Sequence, residues 1–332
     1  MTQISQVAFF SSKNYDQQVF SKFTSQSSIN VTYIEAKLDE LTVTLATGFD
    51  TVCVFVNDEL NSQVVTQLAE LGVKHIALRC AGYNNVDIPT CHQLGITVSH
   101  VPVYSPHAIA EHAMALILTL NRRTHKAYNR VKEGNFDLQG LLGFTIHNKT
   151  IGVIGTGHIG SAFVNIVKGF GCRVLAYDPY PNSELESVVE YTSLQQLFID
   201  SDIISLHCPL TEDNRHIINQ QNIEKMKKGV MLINTSRGGL IETSALIQGL
   251  KSQKIAYVGL DVYEMESELF FRDRSCEMIQ DDLFQRLTTF HNVLITGHQG
   301  FFTQEALNEI AQTTIKNING FANNDNEHTC FL

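Results

Sequence analysis

Short apolar runs rich in β-branched residues alternate with helix-like stretches along nearly the whole chain. The first hundred residues hold five such runs, at 7–10, 31–35, 51–56, 75–80 and 97–101. A second series holds six more, at 150–155, 173–178, 202–207, 229–236, 255–263 and 292–298. Apolar strands separated by helices are typical of parallel sheets built from βαβ units. The pattern therefore predicts an α/β chain with two doubly wound parallel-sheet domains.

Two long helices are predicted before and after the second series of strands. The stretch 105–134 predicts one continuous helix, with Ser105 as its N-cap and Pro106 at its first position. Much of its surface is apolar, so we expect it to pack deeply or against a second subunit. The stretch 303–321 predicts one amphipathic helix near the C-terminus.

Composition and charge exclude several classes of protein. The 332 residues include 24 basic and 34 acidic side chains, and the net charge of −10 argues against a nucleic-acid groove. The most apolar helical stretch, 113–120, is too short to cross a bilayer, and the N-terminus lacks the pattern of a signal peptide. Seven cysteines without a CxxC pair favour a reducing compartment. We therefore expect a cytoplasmic protein that binds neither nucleic acid nor membrane.

No metal site is expected. His107 and His112 lie on the helix predicted over 105–134, and histidine is a frequent metal ligand. Their spacing of five residues places them on different faces of that helix, whereas the ligands of one ion must converge.

A glycine-rich motif opens the second series. Gly155, Gly157 and Gly160 form G-x-G-x-x-G directly after an apolar strand and directly before a helix, which is the context that a dinucleotide site requires. Gly155 permits the tight turn, Gly157 lets the backbone approach a pyrophosphate, and Gly160 allows close packing of helix and strand. The motif predicts a nicotinamide dinucleotide cofactor.

The next strand ends in an acidic residue, Asp178, eighteen positions after Gly160. A carboxylate at this place accepts hydrogen bonds from the adenosine ribose hydroxyls and repels a 2′-phosphate. The alternative is a turn aspartate before Pro179. Together with the glycines, Asp178 favours NAD over NADP.

Three successive strands of the second series lead into polar side chains of different kinds: Arg237, then Glu264 and Glu266, then His298. In an open parallel sheet, ligands bind beyond the carboxyl ends of the strands, so these residues are expected at one edge.

An arginine, a carboxylate and a histidine suit the reduction of a 2-keto acid. Histidine can deliver a proton near neutral pH, a carboxylate can orient the imidazole and favour its protonated form, and arginine can pair with the substrate carboxylate. Each residue also has an ordinary explanation: Arg237 as a surface cation, Glu266 in a solvated acidic stretch, and His298 as a turn residue. Their coincidence beside a dinucleotide motif favours catalysis.

Five ordered motifs resemble those of the D-2-hydroxyacid dehydrogenase family: "GVIGTGHIG", "SLHCPLT", "INTSRGGLIE", "GLDVYEME" and "ITGHQGFFT". Three further stretches, at 77–87, 101–113 and 265–287, are similar to the fermentative D-lactate dehydrogenases within that family. The resemblance covers nearly the whole chain. It implies an NAD-dependent enzyme that reduces pyruvate to D-lactate and forms a homodimer or homotetramer.

The resemblance also implies a discontinuous architecture. A flavodoxin-like substrate domain would comprise residues 1–101 and 299–332, and a Rossmann domain that binds NAD would comprise residues 102–298. The chain would pass between the domains near Val101 and again near His298, and the active site would lie in a cleft between them.

Roles for individual residues follow from the same motifs. Arg237 would bind the substrate carboxylate, Glu266 would orient and charge the histidine, and His298 would be the general acid/base. The cofactor would contact Gly155, Gly157, His158, Ile159, Gly160, Asp178, His207, Cys208, Pro209, Thr235, Ser236 and Asp261. Asp261 would hold the nicotinamide carboxamide. The substrate would contact Ala81, Gly82, Tyr104, Arg237 and Phe301.

One position departs from the family pattern. Gly300 stands where the family is expected to have alanine after His-Gln or His-Thr, and glycine would loosen the backbone beside His298 and affect the position of Phe301.

Two other functions are alternatives to pyruvate reduction. The first is a dehydrogenase for another D-2-hydroxy acid with a larger side chain, which would need a wider pocket near Tyr104 and Phe301. The second, less favoured, is an NADH-sensing interaction protein like the C-terminal binding protein corepressors. Formate dehydrogenases resemble the chain as well but have glutamine where Glu266 stands.

Overall fold

The chain folds into two compact α/β units. The structure, a computed structural model, describes residues 5–25, 29–323, 325 and 329–332. One unit comprises Met1–Ser105 and Phe302–Leu332, and the other comprises Pro106–Phe301. Residues 1–4, 26–28, 324 and 326–328 of the predicted substrate domain lie outside the described part of the chain.

The first unit is built on a sheet of five parallel strands in the order β2-β1-β3-β4-β5. These strands are β1 Ser5–Phe9, β2 Ile29–Tyr33, β3 Thr51–Val54, β4 His75–Leu78 and β5 Thr97–Ser99. Its helices are α1 Asn14–Thr24, α2 Ser62–Glu70, α3 Ile88–Leu94 and a C-terminal helix Gln304–Asn323. Side chains cap two of them: Asn61 accepts the Val64 amide before α2, and Asp87 accepts the Thr90 amide before α3.

A short C-terminal tail pairs with β5, the outermost strand of this sheet. The His100 amide donates to Cys330 O over 3.0 Å, and the Leu332 amide donates to Val98 O over 2.9 Å. Ser99 and Phe331 form the antiparallel bridge between these two bonds. The tail therefore occupies the hydrogen-bonding edge that β5 would otherwise leave open.

The second unit is built on seven parallel strands in the order β12-β11-β10-β9-β6-β7-β8. They are β6 Thr150–Ile154, β7 Arg173–Tyr177, β8 Glu190–Tyr191, β9 Ile203–Leu206, β10 Val230–Asn234, β11 Ile255–Leu260 and β12 Val293–Ile295. Its helices are α4 Pro106–Arg122, α5 Thr124–Lys132, α6 His158–Gly169, α7 Leu194–Asp200, α8 Gln220–Lys225, α9 Thr243–Lys251 and α10 Asp282–Thr288. The prediction of two parallel-sheet α/β domains is confirmed.

The strand order places the glycine motif at a topological switch point. β6 lies in the interior of the sheet, with β7 on one side and β9 on the other. Chain connections therefore leave β6 in opposite directions, and ligands of doubly wound sheets bind in the crevice that opens there. The turn after β6 begins with Gly155.

The prediction of one helix over 105–134 is wrong. The helix breaks at Arg123, whose φ of 52° is left-handed, so that α4 and α5 are separate. The Arg123 guanidinium donates to the Tyr257 hydroxyl over 3.2 Å and lies 5.8 Å from that ring's centre. These contacts favour the break because they hold the side chain against β11.

Deep packing of α4 is confirmed. Ala110, Ala113 and Ile117 are fully buried, and the helix packs against α6 and the neighbouring strands β10 and β11. Gly259 of β11 makes this approach possible, because a Cβ there would lie 3.2 Å from Leu116. Across the described residues, none of the helices combines the length and the hydropathy needed to cross a membrane.

Candidate active site

The glycine-rich turn (155–160) has the shape of a dinucleotide cradle. Gly155 has a φ of 95°, and a Cβ on it would lie 2.6 Å from the Cys208 amide nitrogen. A Cβ on Gly160 would overlap the carbonyl oxygen of Gly155. At Gly157, the N-cap of α6, a Cβ would meet no described atom within 4 Å. The turn is therefore tight on its protein side and open at Gly157, which fits a pyrophosphate at the helix N-terminus.

Asp178 lies beside this turn, directly after β7. Its Oδ2 accepts the Thr156 amide over 2.6 Å and the Thr156 hydroxyl over 3.1 Å. Its Oδ1 accepts the Tyr180 amide over 2.9 Å. Oδ1 retains a lone pair and the side chain is only half-buried, so the carboxylate can accept a hydrogen bond from a ribose hydroxyl. Its bonds to Thr156 and Tyr180 also stabilise the turn.

His207 packs against the same turn and is more buried than the two residues that follow it. Its ring is buried, with Nε2 2.8 Å from the Ser205 hydroxyl and the ring centre 4.7 Å from that of Phe163. Burial lowers the pKa of His207 to about 3, so the ring is neutral. Its backbone and that of Cys208 pack on Gly155, and the next residue, Pro209, is exposed.

The loop after β10 carries three predicted site residues. Thr235 is buried, and its hydroxyl has no hydrogen-bond partner among the described residues, which fits a donor reserved for a ligand. The Ser236 hydroxyl donates to Cys208 O and so joins this loop to the previous one. Arg237 is half-buried, and its guanidinium donates to Ser236 O over 2.8 Å.

His298 and Glu266 form a hydrogen-bonded pair. Nδ1 of the imidazole lies 2.9 Å from Glu266 Oε1, and Glu266 Oε2 accepts the Tyr263 amide over 2.9 Å. An ionised carboxylate at Nδ1 fixes the proton on that nitrogen and leaves Nε2 as the nitrogen that can exchange a proton with a ligand. The ring of Phe271 lies 5.6 Å from the imidazole, centre to centre.

The backbone at His298 is strained. Its φ of 53° lies in the left-handed region, which is uncommon for residues other than glycine and costs energy. The His298 amide donates to Asp261 O over 2.8 Å and to Thr296 O over 3.1 Å, and these bonds hold the conformation. The strained turn sets the direction of the imidazole.

Asp261 is the anchor of this turn. Its carboxylate is 2 % exposed and accepts the amides of Gln299 and Gly300, each over 2.8 Å. The Thr296 hydroxyl donates to it over 2.5 Å, and His112 Nε2 lies 3.2 Å away. Burial opposes ionisation, but these bonds outweigh it and hold the pKa of Asp261 to about 2. Oδ2 accepts only the Gly300 amide from the described chain, which leaves room for a carboxamide donor.

His112 is a site residue that the sequence reasoning missed. It lies on α4, and its Nε2 lies 3.0 Å from the Thr296 hydroxyl as well as near Asp261. Its spacing from His107 bears only on metal binding, and a bond to a carboxylate 149 positions later has no local pattern. Its place in the stretch 101–113, which carries part of the family resemblance, was the available signal.

Gly300 is held in place, in contrast to the expectation of a loose backbone. It is buried, and its amide is bonded to Asp261. A Cβ here would lie 3.0 Å from Asp261 Oδ2 and 3.5 Å from His112 Cδ2. The absent side chain therefore makes room for the contact between His112 and Asp261.

The remaining predicted residues are distributed over both units. Ala81 and Gly82 belong to the first unit, just beyond the carboxyl end of β4, and Ala81 O lies 3.0 Å from His100 Nδ1. Tyr104 is half-buried in the segment after β5. Phe301 is buried and is the last residue of the second unit, and His158 and Ile159 open α6.

Comparison with known proteins identifies the family of the chain. Residues 114–300 match the family model described as D-isomer specific 2-hydroxyacid dehydrogenase, NAD binding domain. D-lactate dehydrogenase of Escherichia coli (strain K12) is 50% identical over 325 residues, 98% of each chain.

Solved structures agree as well. The apo-structure of D-lactate dehydrogenase from Escherichia coli aligns with a TM-score of 0.88 at 47% identity and 98% coverage of both chains. The pyruvate reductase of Chlamydomonas reinhardtii aligns with a TM-score of 0.91 at 44% identity, over 97% of this chain and 98% of that one. The chain therefore belongs to the D-isomer specific 2-hydroxyacid dehydrogenase family, and its cofactor is NAD.

Proposed function

We propose that this protein is a D-lactate dehydrogenase that reduces pyruvate to D-lactate. The hydrogen-bonded pair of His298 and Glu266, 2.9 Å apart beyond the carboxyl ends of the second unit's strands, is the observation that carries the proposal. The names of the relatives from Escherichia coli and Chlamydomonas reinhardtii support pyruvate as the substrate. NADH supplies the hydride when it is bound.

Residues of the chain transfer the proton, orient the imidazole and bind the substrate carboxylate. Nε2 of His298 gives a proton to the keto oxygen as that oxygen gains negative charge. Glu266 keeps the imidazole in one orientation and balances its positive charge before the transfer. Arg237 pairs with the carboxylate of the 2-keto acid, and the backbone amides of Ala81 and Gly82 add further donors.

The cofactor contacts belong to the second unit. The glycine-rich turn, with His158 and Ile159, would hold the pyrophosphate, and Asp178 would accept the ribose hydroxyls and disfavour NADP. The Thr235 hydroxyl, which has no partner among the described residues, and the half-buried Ser236 lie in the loop proposed to line the cofactor. Ser236 joins this loop to the turn at 207–209. Asp261 would accept the carboxamide. Tyr104 and Phe301 would limit the size of the substrate side chain.

A panel of 2-keto acids with NADH, followed by chiral analysis of the product, tests the proposal. We expect pyruvate to give the highest kcat/KM and D-lactate to be the product. Higher kcat/KM with a branched or longer 2-keto acid would assign the protein to another D-2-hydroxy acid. Formation of L-lactate, or no oxidation of NADH with any acid in the panel, would overturn the assignment as a D-specific dehydrogenase.

We also propose a homo-oligomer formed through the second unit. The segment 133–145, here called the apolar arm, has no helix or strand and exposes Phe136, Leu138 and Leu142 by 74%, 80% and 86%. Exposed apolar side chains in such a cluster mark an interaction surface, and a second copy of the chain is the partner that the family suggests. Seven free cysteine thiols support a cytoplasmic location.

A further inference from the structure

A second histidine–glutamate pair lies in the same unit and has no part in the proposed reaction. His216 Nε2 lies 2.6 Å from Glu264 Oε1, a shorter contact than the one between His298 and Glu266. His216 is left-handed too, with a φ of 53°. A strained backbone at a partly buried ion pair persists only where the surroundings impose it, so the pair has a structural task to explain.

Glu264 uses its other oxygen to hold the start of α9. Oε2 accepts the Thr243 hydroxyl over 2.9 Å and the Thr243 amide over 3.2 Å. Burial opposes ionisation, but the bonds from His216 and Thr243 outweigh it and lower the pKa of Glu264. The ionised carboxylate therefore joins the loop after β9, which carries His216, to the first turn of α9.

Between these two attachment points lies the arginine loop (237–239). The His216 amide donates to Gly239 O over 2.9 Å, so that His216 holds the loop from one side by its backbone. On the other side, a Cβ on Gly238 would overlap the carbonyl of Tyr263 and lie 2.4 Å from the Glu264 nitrogen. The loop is thus in direct contact with the backbones of both members of the pair.

We propose that His216 and Glu264 are positioning residues that clamp the arginine loop and so fix Arg237 for the carboxylate of the 2-keto acid. Their side-chain contact ties the two backbones that enclose the loop, and the left-handed turn at His216 points its imidazole at Glu264. This inference rests on the proposed role of Arg237. It assigns the two histidine–glutamate pairs to separate tasks, proton transfer for His298 and Glu266 and substrate anchoring for His216 and Glu264.

The test compares His216→Leu, Glu264→Ala and His216→Gln with the parent. Steady-state kcat and KM for pyruvate are measured at saturating NADH, together with the inhibition constant of oxamate, an unreactive analogue of pyruvate, and the dissociation constant of NADH. We expect His216→Leu and Glu264→Ala to raise both KM and the oxamate constant about tenfold while kcat and NADH binding change less than about twofold. His216→Gln should recover most of the loss, because its amide can still donate to Glu264.

Glu190→Gln is the matched control. Arg173 and Glu190 form an exposed ion pair in the same unit, 2.6 Å apart, away from the carboxyl ends of the strands. Glu190→Gln removes one charge from this pair and should leave every kinetic constant at the parent value. Glu266→Gln should differ from the His216 and Glu264 variants, because it should lower kcat rather than raise KM.

Amide hydrogen exchange of residues 236–242 tests the clamp without any turnover. We expect exchange in this segment to accelerate in His216→Leu and Glu264→Ala and not in Glu190→Gln. Unchanged exchange and an unchanged oxamate constant in both variants would overturn the clamp, whatever the parent reduces. A parent that reduces no 2-keto acid, with faster exchange in the variants, would instead overturn the proposed function and the link to substrate while leaving the clamp in place.

Discussion

At the scale of single residues, His298 combines a strained backbone with the proposed proton donor. The cost of that strain can be measured by comparing the stability of glycine and alanine variants at position 298, which both lack the imidazole. A left-handed φ costs an alanine roughly 1–2 kcal/mol and glycine almost nothing, so His298→Gly should be more stable than His298→Ala by about 1 kcal/mol. Urea denaturation of the two variants gives the difference in the free energy of unfolding.

A control position in a helix should show the opposite difference in stability between glycine and alanine. Lys316 is exposed in the middle of the C-terminal helix, where glycine costs about 1 kcal/mol relative to alanine. Lys316→Gly should therefore be less stable than Lys316→Ala. Equal stability of the two His298 variants would show that the turn at residue 298 carries no strain.

Kinetics of three variants separate the roles proposed for the reacting groups. His298→Ala removes the proton donor and should lower kcat at least about a hundredfold, and Glu266→Gln should lower it less. Arg237→Lys keeps the charge but loses the planar pair of donors, so KM for pyruvate should rise about tenfold while kcat changes less. Steady-state assays with NADH check these expectations, and near-parental constants in all three variants would reject the assignments.

Candidate site residues directly after strands are easier to find in the sequence than those on helices. Gly155, Asp178, Asp261 and Thr235 each follow a strand at once, and the end of a strand is readable from the run of apolar residues. His112 lies on α4 and reaches the site only through tertiary packing, which no local spacing records. The sequence shows that Gly300 departs from the family pattern. Only the structure shows that the missing side chain leaves room for His112.

At the scale of elements, two glycines of the same turn should respond differently to one added methyl group. A Cβ on Gly157 meets no described atom within 4 Å, whereas a Cβ on Gly160 overlaps Gly155 O. Gly157→Ala should keep the parent melting temperature and weaken NADH binding about tenfold, because the methyl group occupies the cofactor side. Gly160→Ala should lower the melting temperature itself.

Thermal denaturation and fluorescence titration with NADH measure the two effects. Gly169 of the same helix supplies a control, since a Cβ there also meets nothing within 4 Å and lies far from the N-terminus of α6. Gly169→Ala should leave NADH binding unchanged. Parent-like NADH binding in Gly157→Ala would contradict the cradle.

Elements with strong periodicity were predicted to within a few residues, and the failures have definite causes. The run 105–134 is helical on both sides of Arg123, so periodicity alone gave no reason to interrupt it. The break depends on contacts of Arg123 with Tyr257, which lies far away in sequence. β8, with two residues, is too short to form an apolar run and was not predicted.

At the scale of the whole molecule, each unit buries a neutral histidine among its described residues. His75 in β4 has Nε2 2.8 Å from the Ser99 hydroxyl, and burial lowers the pKa of His75 and of His207 from 6.5 to about 3. Between those values the unfolded chain binds a proton that the folded unit excludes. The stability that these two histidines contribute is therefore fully present above about pH 6.5 and is lost as the pH decreases, by about 1.4 kcal/mol per pH unit for each histidine.

Replacement of either histidine should flatten this dependence. Between pH 6 and pH 4.5, His75→Gln and His207→Gln should each reduce the slope of the unfolding free energy against pH by about 1.4 kcal/mol per unit. His291→Gln, at an exposed histidine, should leave the slope unchanged. Urea unfolding at several pH values gives the slopes, and parallel curves for His75→Gln and the parent would show that His75 is protonated in the folded unit.

If the apolar arm is buried by a second copy, charges placed on it should weaken the oligomer. Leu138→Asp with Leu142→Asp places two charges on the surface proposed to be buried by a second copy, so the sedimenting species should become smaller. Leu41→Asp, at a leucine of the first unit exposed by 91%, is the control and should leave the mass unchanged. Analytical ultracentrifugation distinguishes the outcomes, and an unchanged mass for the double variant would exclude the arm from the interface.

The pairing of the C-terminal tail with β5 has a consequence for colloidal behaviour. An outermost strand with unused amides and carbonyls is a template on which another molecule can add a strand and begin a fibril or precipitate. Residues 330–332 use those groups and therefore insulate the first unit from its own copies. Loss of these few residues leaves the groups proposed for catalysis untouched, so the first symptom of damage there would be turbidity rather than inactivity.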